Sequence, residues 1–409
     1  MLYLKKNICY NMIQGGDCVL NENISPEQYI SEIKALNKKL NIAEQQIMDS
    51  AFIDKRNPFE NPTEYRHYNS DYGKIEPEIE KPFFKLPLEP EYSERRNIRR
   101  FYNVTGLQMI FHIVASEILM YLLTFIIMTF LQYLNPDREY SEIADYFYAT
   151  VSAPANMLIF LICNVTFACI GLKMTKTSPA SLVRTCDFTL FKAVGYLFIV
   201  LFLNEFSSVI VSFISYVMSQ CGLKMYNIND YTDFQSTPAK VSEFMYSVLV
   251  APVTEEFFYR GMVLKNFSKA SQRCGIFVSA LLFGLMHTTV PQIVLGFAMG
   301  IFLAHITLKH NSIIPAIIAH SFNNSLGYIL SPVGNITSET GIIIANSVYY
   351  ACVMFGLFAL VGFKLTNKLP HDTPHQSRRG ISLALTSIPV LIVIVYYIIK
   401  TISYILRIS

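Results

Sequence analysis

The sequence predicts an all-α polytopic membrane protein, with about eight or nine transmembrane helices around a central helix cluster and a polar N-terminal region carrying an amphipathic helix. Three observations predict it. Of 409 residues, 52% are hydrophobic and only 15% charged, against roughly 25% charged in a soluble chain. The apolar residues fall in long runs rather than in short alternating ones. The loops between those runs are basic and acidic or neutral by turns. The net charge of +3 is too small for a nucleic-acid partner, and no basic stripe with interleaved aromatics occurs. The eight cysteines show no CxxC pair and read mostly as small apolar fillers.

Residues 1–106 are polar and, lacking an apolar core long enough for a signal peptide, are expected to stay on the cytoplasmic side. Within them an amphipathic helix is predicted over 25–50. Ser25 caps it, Pro26 takes the first helical position, Gln28 completes a capping box, and Ile30, Ile33, Leu36, Leu40 and Ile47 follow at helical spacing. Residues 56–92, with six prolines between Pro58 and Pro90, read as an extended linker. The transmembrane domain is predicted over 107–409. Its candidate spans are 107–134, 150–172, 190–218, 242–264, 274–289, 291–308, 312–331, 340–363 and 381–405. Those at 274–289 and 291–308 are short against the roughly 20 residues a crossing takes, and are expected to be shielded by the others.

Basic residues gather before the first span (Arg95, Arg96, Arg99, Arg100) and after the second, fourth, sixth and eighth, whereas "NPDREYSEIADY" and "NINDYTDFQST" are acidic or neutral. The positive-inside rule places the N-terminus in the cytoplasm, with Lys400 and Arg407 as exceptions on the outer side. The expected location is the cell membrane, with the lipid bilayer as the surrounding partner.

Within the fourth span, "APVTEEFFYRG" brings two glutamates and an arginine into apolar surroundings. An ionisable side chain at that depth costs roughly 2.5–3.5 kcal/mol or more, so it points to function by default. Glu255 lies ten residues before Lys265, about 15 Å along the helix. Glu256 and Arg260, four apart, share a face and can pair, while Glu255 is turned about 100° away. The alternative is a buried structural ion knot. "FGLMH" places His287 in the next span with Phe283 one turn earlier, and "HSFNN" places His320 and Asn324 four apart on one face of another. Two histidines, an asparagine and a spare glutamate on three helices are hard to explain as packing. "GFAMG" (296–300) adds a small-xxx-small pattern that lets backbones approach closely.

A carboxylate with a nearby imidazole can hold and deprotonate a water, and a second imidazole with an amide can donate to an oxyanion on a peptide carbonyl. Those parts make a hydrolase. Neither GxSxG nor HExxH occurs, which argues against the serine elbow and the zinc-protease helix. Outside this region His112, Glu117, Asn164, Asn204 and Glu205 lie in apolar runs. For Glu205 an interhelical hydrogen bond is expected, with lining of a substrate path as the alternative.

The order EExxxR (Glu255, Glu256, Arg260), FxxxH (Phe283, His287) and HxxxN (His320, Asn324) resembles the CAAX-endopeptidase and bacteriocin-processing family of intramembrane proteases over about 240–330. "SIIPAIIAHSFNN" is similar to its bacterial branch. The resemblance implies an endopeptidase acting on a membrane-associated peptide or protein. Glu255 would be the general base, His287 would help to hold the water, and His320 and Asn324 would form the oxyanion hole. Glu256, Arg260 and Phe283 would be supporting, with Arg260 fixing Glu256 or a substrate carboxylate. No cofactor is favoured; zinc held by Glu255, His287 and His320 is the alternative. Against the enzyme stand a non-catalytic scaffold or bacteriocin-immunity factor, and a transporter, for which no second copy of EExxxR or HxxxN is found.

Overall fold

The computed structural model describes residues 90–174, 178–225, 237–334, 336–367 and 374–407, together with 31 and 35. The amphipathic helix expected at 25–50, apart from those two residues, and nearly all of the 56–92 linker lie outside the described residues.

Each predicted span coincides with helix. The first rod, α1 (Pro90–Leu134), starts well before Leu107, where the first span was expected to begin. Ile98, Tyr102, Thr105 and Met109 recur at helical spacing and are buried, so the basic run "ERRNIRR" belongs to a packed helix and not to a linker. Tyr102 fixes that end by donating its hydroxyl to the Phe267 carbonyl at 3.1 Å. Next comes α2, the rod Tyr140–Met174. A π-turn at Phe147–Val151 interrupts it just before Pro154, whose missing N–H and ring disturb the hydrogen bonding of the preceding turn. A short α3 (Pro179–Leu182) leads to α4 (Leu190–Gln220) and strand β1 (Leu223–Met225).

The fourth span is a composite rod, α5, built from Thr237–Met245, a π-turn Tyr246–Val250, Ala251–Phe258, a π-turn Tyr259–Leu264 and Lys265–Phe267. After it come α6 (Gln272–Leu285), capped by the Ser271 hydroxyl accepting from Cys274 N at 2.9 Å, and α7 (Val290–His310), opened by Pro291. Then follow α8 (Ile314–Gly334) and α9 (Glu339–Thr366). The span expected at 381–405 is two helices, α10 (Pro374–Leu385) and α11 (Ile388–Ser403). The break falls at Thr386–Ser387, where Pro389 opens a new helix.

Among the described residues five helices, against the eight or nine spans expected, are long and apolar enough to cross a membrane: 95–134, 140–174, 190–220, 290–310 and 339–366. Their outward faces carry exposed Leu, Ile, Val and Phe, the arrangement of a multi-pass membrane protein. The 291–308 segment, expected to be short, is among the five. In contrast α6, with 14 residues, reaches only about 21 Å against about 30 Å of hydrocarbon.

The basic loops meet on one face of the molecule. Cys186 N donates to His310 O at 3.0 Å, Ile313 N to Leu182 O at 2.9 Å, and His305 Nε2 lies 3.2 Å from Asn367 O. Arg99 donates to the Thr386 hydroxyl at 3.0 Å. An addition to the all-helical expectation is β2 (Ile405–Arg407), which pairs antiparallel with β1 and brings the ends of α4 and α11 to one side. The exceptional Lys400 pairs with Glu117 of α1, which also accepts from Tyr396 at 3.0 Å. Glu205 likewise has an interhelical partner, accepting from Tyr349 at 3.0 Å.

The small-xxx-small pattern does what its spacing implies. A Cβ on Gly296 would lie 3.1 Å from Gly284 Cα, and one on Gly300 2.9 Å from Ala280 Cα. The α6–α7 hairpin therefore closes backbone to backbone. Gly300→Leu is expected to force these helices apart and destabilise the fold by about 1–3 kcal/mol, read as a lower unfolding midpoint in detergent; an unchanged midpoint would contradict the packing.

Candidate active site

Two π-turns bracket the eight residues Ala251–Phe258 that carry both glutamates. The first lies just before Pro252, as the π-turn of α2 lies before Pro154. π-Turns inside α-helices concentrate at functional sites, where they re-aim side chains. Gly261 lies in the second, and a Cβ there would come 2.9 Å from Leu182 Cδ1.

Glu256 is fully buried at 0% exposure, and Arg260 at 1%, so neither charge is solvated and each must be balanced by the protein. The balance comes from two sides. Arg260 Nε lies 3.0 Å from Glu256 Oε2, and His320 Nδ1 lies 2.8 Å from Oε1. The pairing expected from the four-residue spacing is therefore present. The guanidinium sits off the hydrogen-bonding line, so its three nitrogens have no hydrogen-bond acceptor among the described residues. Its other support is an aromatic face: the Arg260 Cζ stands 4.1 Å from the Phe283 ring centroid.

Phe283 is the hub of the site. Its ring makes edge contacts with Tyr259 at 5.2 Å, His287 at 5.4 Å and His320 at 5.6 Å between centroids. Around it α5, α6, α8 and the α6–α7 turn converge. Glu255, 9% exposed, points its Oε2 to within 3.9 Å of His320 Nε2. That oxygen is buried and has no hydrogen-bond partner among the described residues. A gap of 3.9 Å is too long for a direct hydrogen bond.

His287 differs from its expected setting. It lies just past the end of α6, in a tight turn rather than within a helix. Thr288 takes a left-handed conformation, φ +61°, a strain of order 1–3 kcal/mol for a branched residue. Thr289 N donates back to the His287 carbonyl at 2.8 Å. Opposite, a Cβ on Gly296 would come 3.0 Å from His287 Cδ2, so the glycine leaves room for the ring. Non-helical backbone at membrane depth is tolerated where protein buries it, as here.

Asn324 lies one turn beyond His320, half-buried, and its Nδ2 donates to the backbone carbonyl of Ser247 in the first π-turn at 2.8 Å. The structure thus gathers Glu255, Glu256, Arg260, Phe283, His287 and His320, and sets Asn324 at their edge. Among the described residues no three His, Cys, Asp or Glu side chains form a group able to hold a metal ion, and His320 Nδ1 is already engaged by Glu256.

A polar chain behind the glutamates escapes sequence reasoning. His112 Nε2 lies 2.7 Å from Asn164 Oδ1, and Asn164 Nδ2 donates to the hydroxyl of Thr254 at 3.0 Å. It ties α1 and α2 to the residue preceding Glu255. The only sequence signal was the presence of His112 and Asn164 in apolar runs. Arg260→Met is expected to strand the Glu256 charge and cost about 3–5 kcal/mol of stability, with much of the loss recovered by adding Glu256→Gln. Unfolding midpoints of the single and double variants in detergent check both statements.

The comparison with protein families matches this region. Residues 237–326 match the family model described as type II CAAX prenyl endopeptidase Rce1-like. No curated protein and no solved structure matches the chain. All the residues gathered around Phe283 fall inside the matched segment, so the likeness to the Rce1-like type II CAAX prenyl endopeptidases covers the 237–326 stretch of this membrane protein and the site within it.

Proposed function

We propose that the protein is an intramembrane endopeptidase that hydrolyses a peptide bond in a membrane-associated peptide or protein, by a water that Glu255 activates. The observation that carries this reading is the buried Oε2 of Glu255, which has no hydrogen-bond partner among the described residues and lies 3.9 Å from His320 Nε2. The neighbouring carboxylate, Glu256, is committed to Arg260 and His320. Of two adjacent acids, one is spent on structure and one is left for chemistry.

In the proposed reaction a water bound at Glu255, with His287 as a second contact, gives its proton to the carboxylate and attacks the substrate carbonyl. The developing oxyanion accepts hydrogen bonds from His320 Nε2–H, when that ring carries both protons, and from Asn324 Nδ2–H. Glu256 fixes the His320 ring by accepting from Nδ1. Collapse of the tetrahedral intermediate breaks the C–N bond, and the proton held by Glu255 passes to the departing amine. The Rce1-like match extends the reading to substrates ending in a prenylated CAAX sequence. Under the positive-inside rule the basic loops support a cytoplasmic position for their face and for the N-terminus, and with it cleavage in the cytoplasmic half of the bilayer.

A farnesylated peptide ending in a CAAX sequence, incubated with the protein in liposomes and analysed by mass spectrometry, tests the proposal. Wild type is expected to release the last three residues, and Glu255→Gln to lower the rate by about 10²–10⁴-fold while unfolding at the same midpoint. EDTA is expected to leave the rate unchanged, because no step uses a metal. Equal product from wild type and Glu255→Gln would favour the scaffold reading.

A further inference from the structure

Three asparagines on two helices form a one-way hydrogen-bond relay that ends on Asn324. Asn204 Nδ2 of α4 donates to Asn323 Oδ1 at 3.2 Å, Asn323 Nδ2 donates to Asn324 Oδ1 at 3.2 Å, and Asn324 Nδ2 donates to Ser247 O at 2.8 Å. A carboxamide can be turned over, exchanging its acceptor oxygen for its donor nitrogen, so each link alone admits two polarities. The Ser247 carbonyl does not: it belongs to the backbone and only accepts. It therefore requires the NH₂ of Asn324 to face α5. That turns Asn324 Oδ1 towards Asn323, which must present its own NH₂, and Asn323 Oδ1 then faces Asn204, which must donate. All three amides are oriented by one fixed acceptor at one end and one donor at the other.

We infer that Asn204 and Asn323 are positioning residues that hold the Asn324 carboxamide with its NH₂ turned towards α5, the orientation in which it can donate to the substrate oxyanion. The inference rests on the role of Asn324 in the proposed reaction. Asn324 Nδ2 carries two protons, and Ser247 uses one; the second is the one available to substrate. Were the amide flipped, an oxygen would face the developing negative charge and repel it. Asn204 lies outside the 237–326 segment and belongs to no motif.

The relay makes an unusual forecast for Asn204, a residue remote from the chemistry. Asn204→Leu, of similar size, removes the donor that holds Asn323 Oδ1 but opposes nothing at Ser247, so kcat is expected to fall, by a smaller factor than with Asn204→Asp. Asn204→Asp, once ionised at a pH well above the carboxyl range, presents only acceptors. It draws the NH₂ of Asn323 towards α4, so that an oxygen meets Asn324 and pulls its NH₂ off Ser247. A drop in kcat of about tenfold or more is expected, with KM unchanged, approaching the roughly 10²–10³-fold loss that follows removal of one oxyanion donor. Asn323→Asp acts on the same link directly and supplies the test if Asn204→Asp does not fold.

The decisive measurement is the cycle with Asn324→Ala, scored by cleavage of the farnesylated CAAX peptide in liposomes. Asn204→Asp is expected to lower kcat in the wild-type background and to have no further effect once Asn324 is alanine. Equal effects in both backgrounds, or a larger effect for Leu than for Asp, would overturn the relay while leaving the reaction intact. Full activity of Asn324→Ala would instead remove Asn324 from the reaction, and a wild type that leaves the peptide uncut would refute the endopeptidase reading itself; either result withdraws the basis of the relay.

Discussion

The structure depends on one buried carboxylate. Glu256 is inaccessible to solvent and is held between Arg260 on its own helix and His320 on α8. In low dielectric an unbalanced charge is untenable, so the pairings are conditions for the helices to pack as they do. Each partner passes the constraint on. Arg260 lies over Phe283 and ties α5 to α6, while His320, anchored through Nδ1, has its other nitrogen turned towards Glu255. The ion cluster fastens the core and, in the proposed reaction, mounts Glu255. The structural knot and the proposed working site are compatible: Glu256 and Arg260 form the first, and that pairing leaves Glu255 for the second.

Departures from ideal helix geometry assemble the rest. Prolines at 154 and 252 follow π-turns in the two rods that support the glutamates. The glycines of α7 let α6 come within backbone contact, and α6 stops early enough to leave His287 on a strained turn beside Phe283. A set of uniform membrane helices would carry the same side chains on smooth cylinders. The interruptions bring them to one point.

Much of this was legible in the sequence, where a short-range rule applied. The four-residue spacing gives the Glu256–Arg260 pair, the small-xxx-small pattern gives the α6–α7 approach, and charge among apolar residues flags the region. What was not legible depends on contacts between distant segments. No spacing rule joins Asn204 to Asn323, His112 to Asn164, or His320 to Glu256, because each pair belongs to different helices. The burial of Ile98 and Tyr102 was hidden by the arginines around them, since polarity averaged over a stretch masks a face. Two local signals were present but overridden: Ser387 with Pro389 marks a helix start inside the 381–405 run, and Thr288–Thr289 before Pro291 marks the end of the helix that carries Phe283.

The clasp between Glu117 on α1 and Lys400 on α11 joins almost the first apolar segment of the chain to almost the last. During synthesis at the ribosome the acid is made long before its base. Until α11 is delivered, Glu117 lacks the partners that Lys400 and Tyr396 supply. The order of synthesis therefore makes this closure of α11 onto α1 one of the later contacts of the bundle to form.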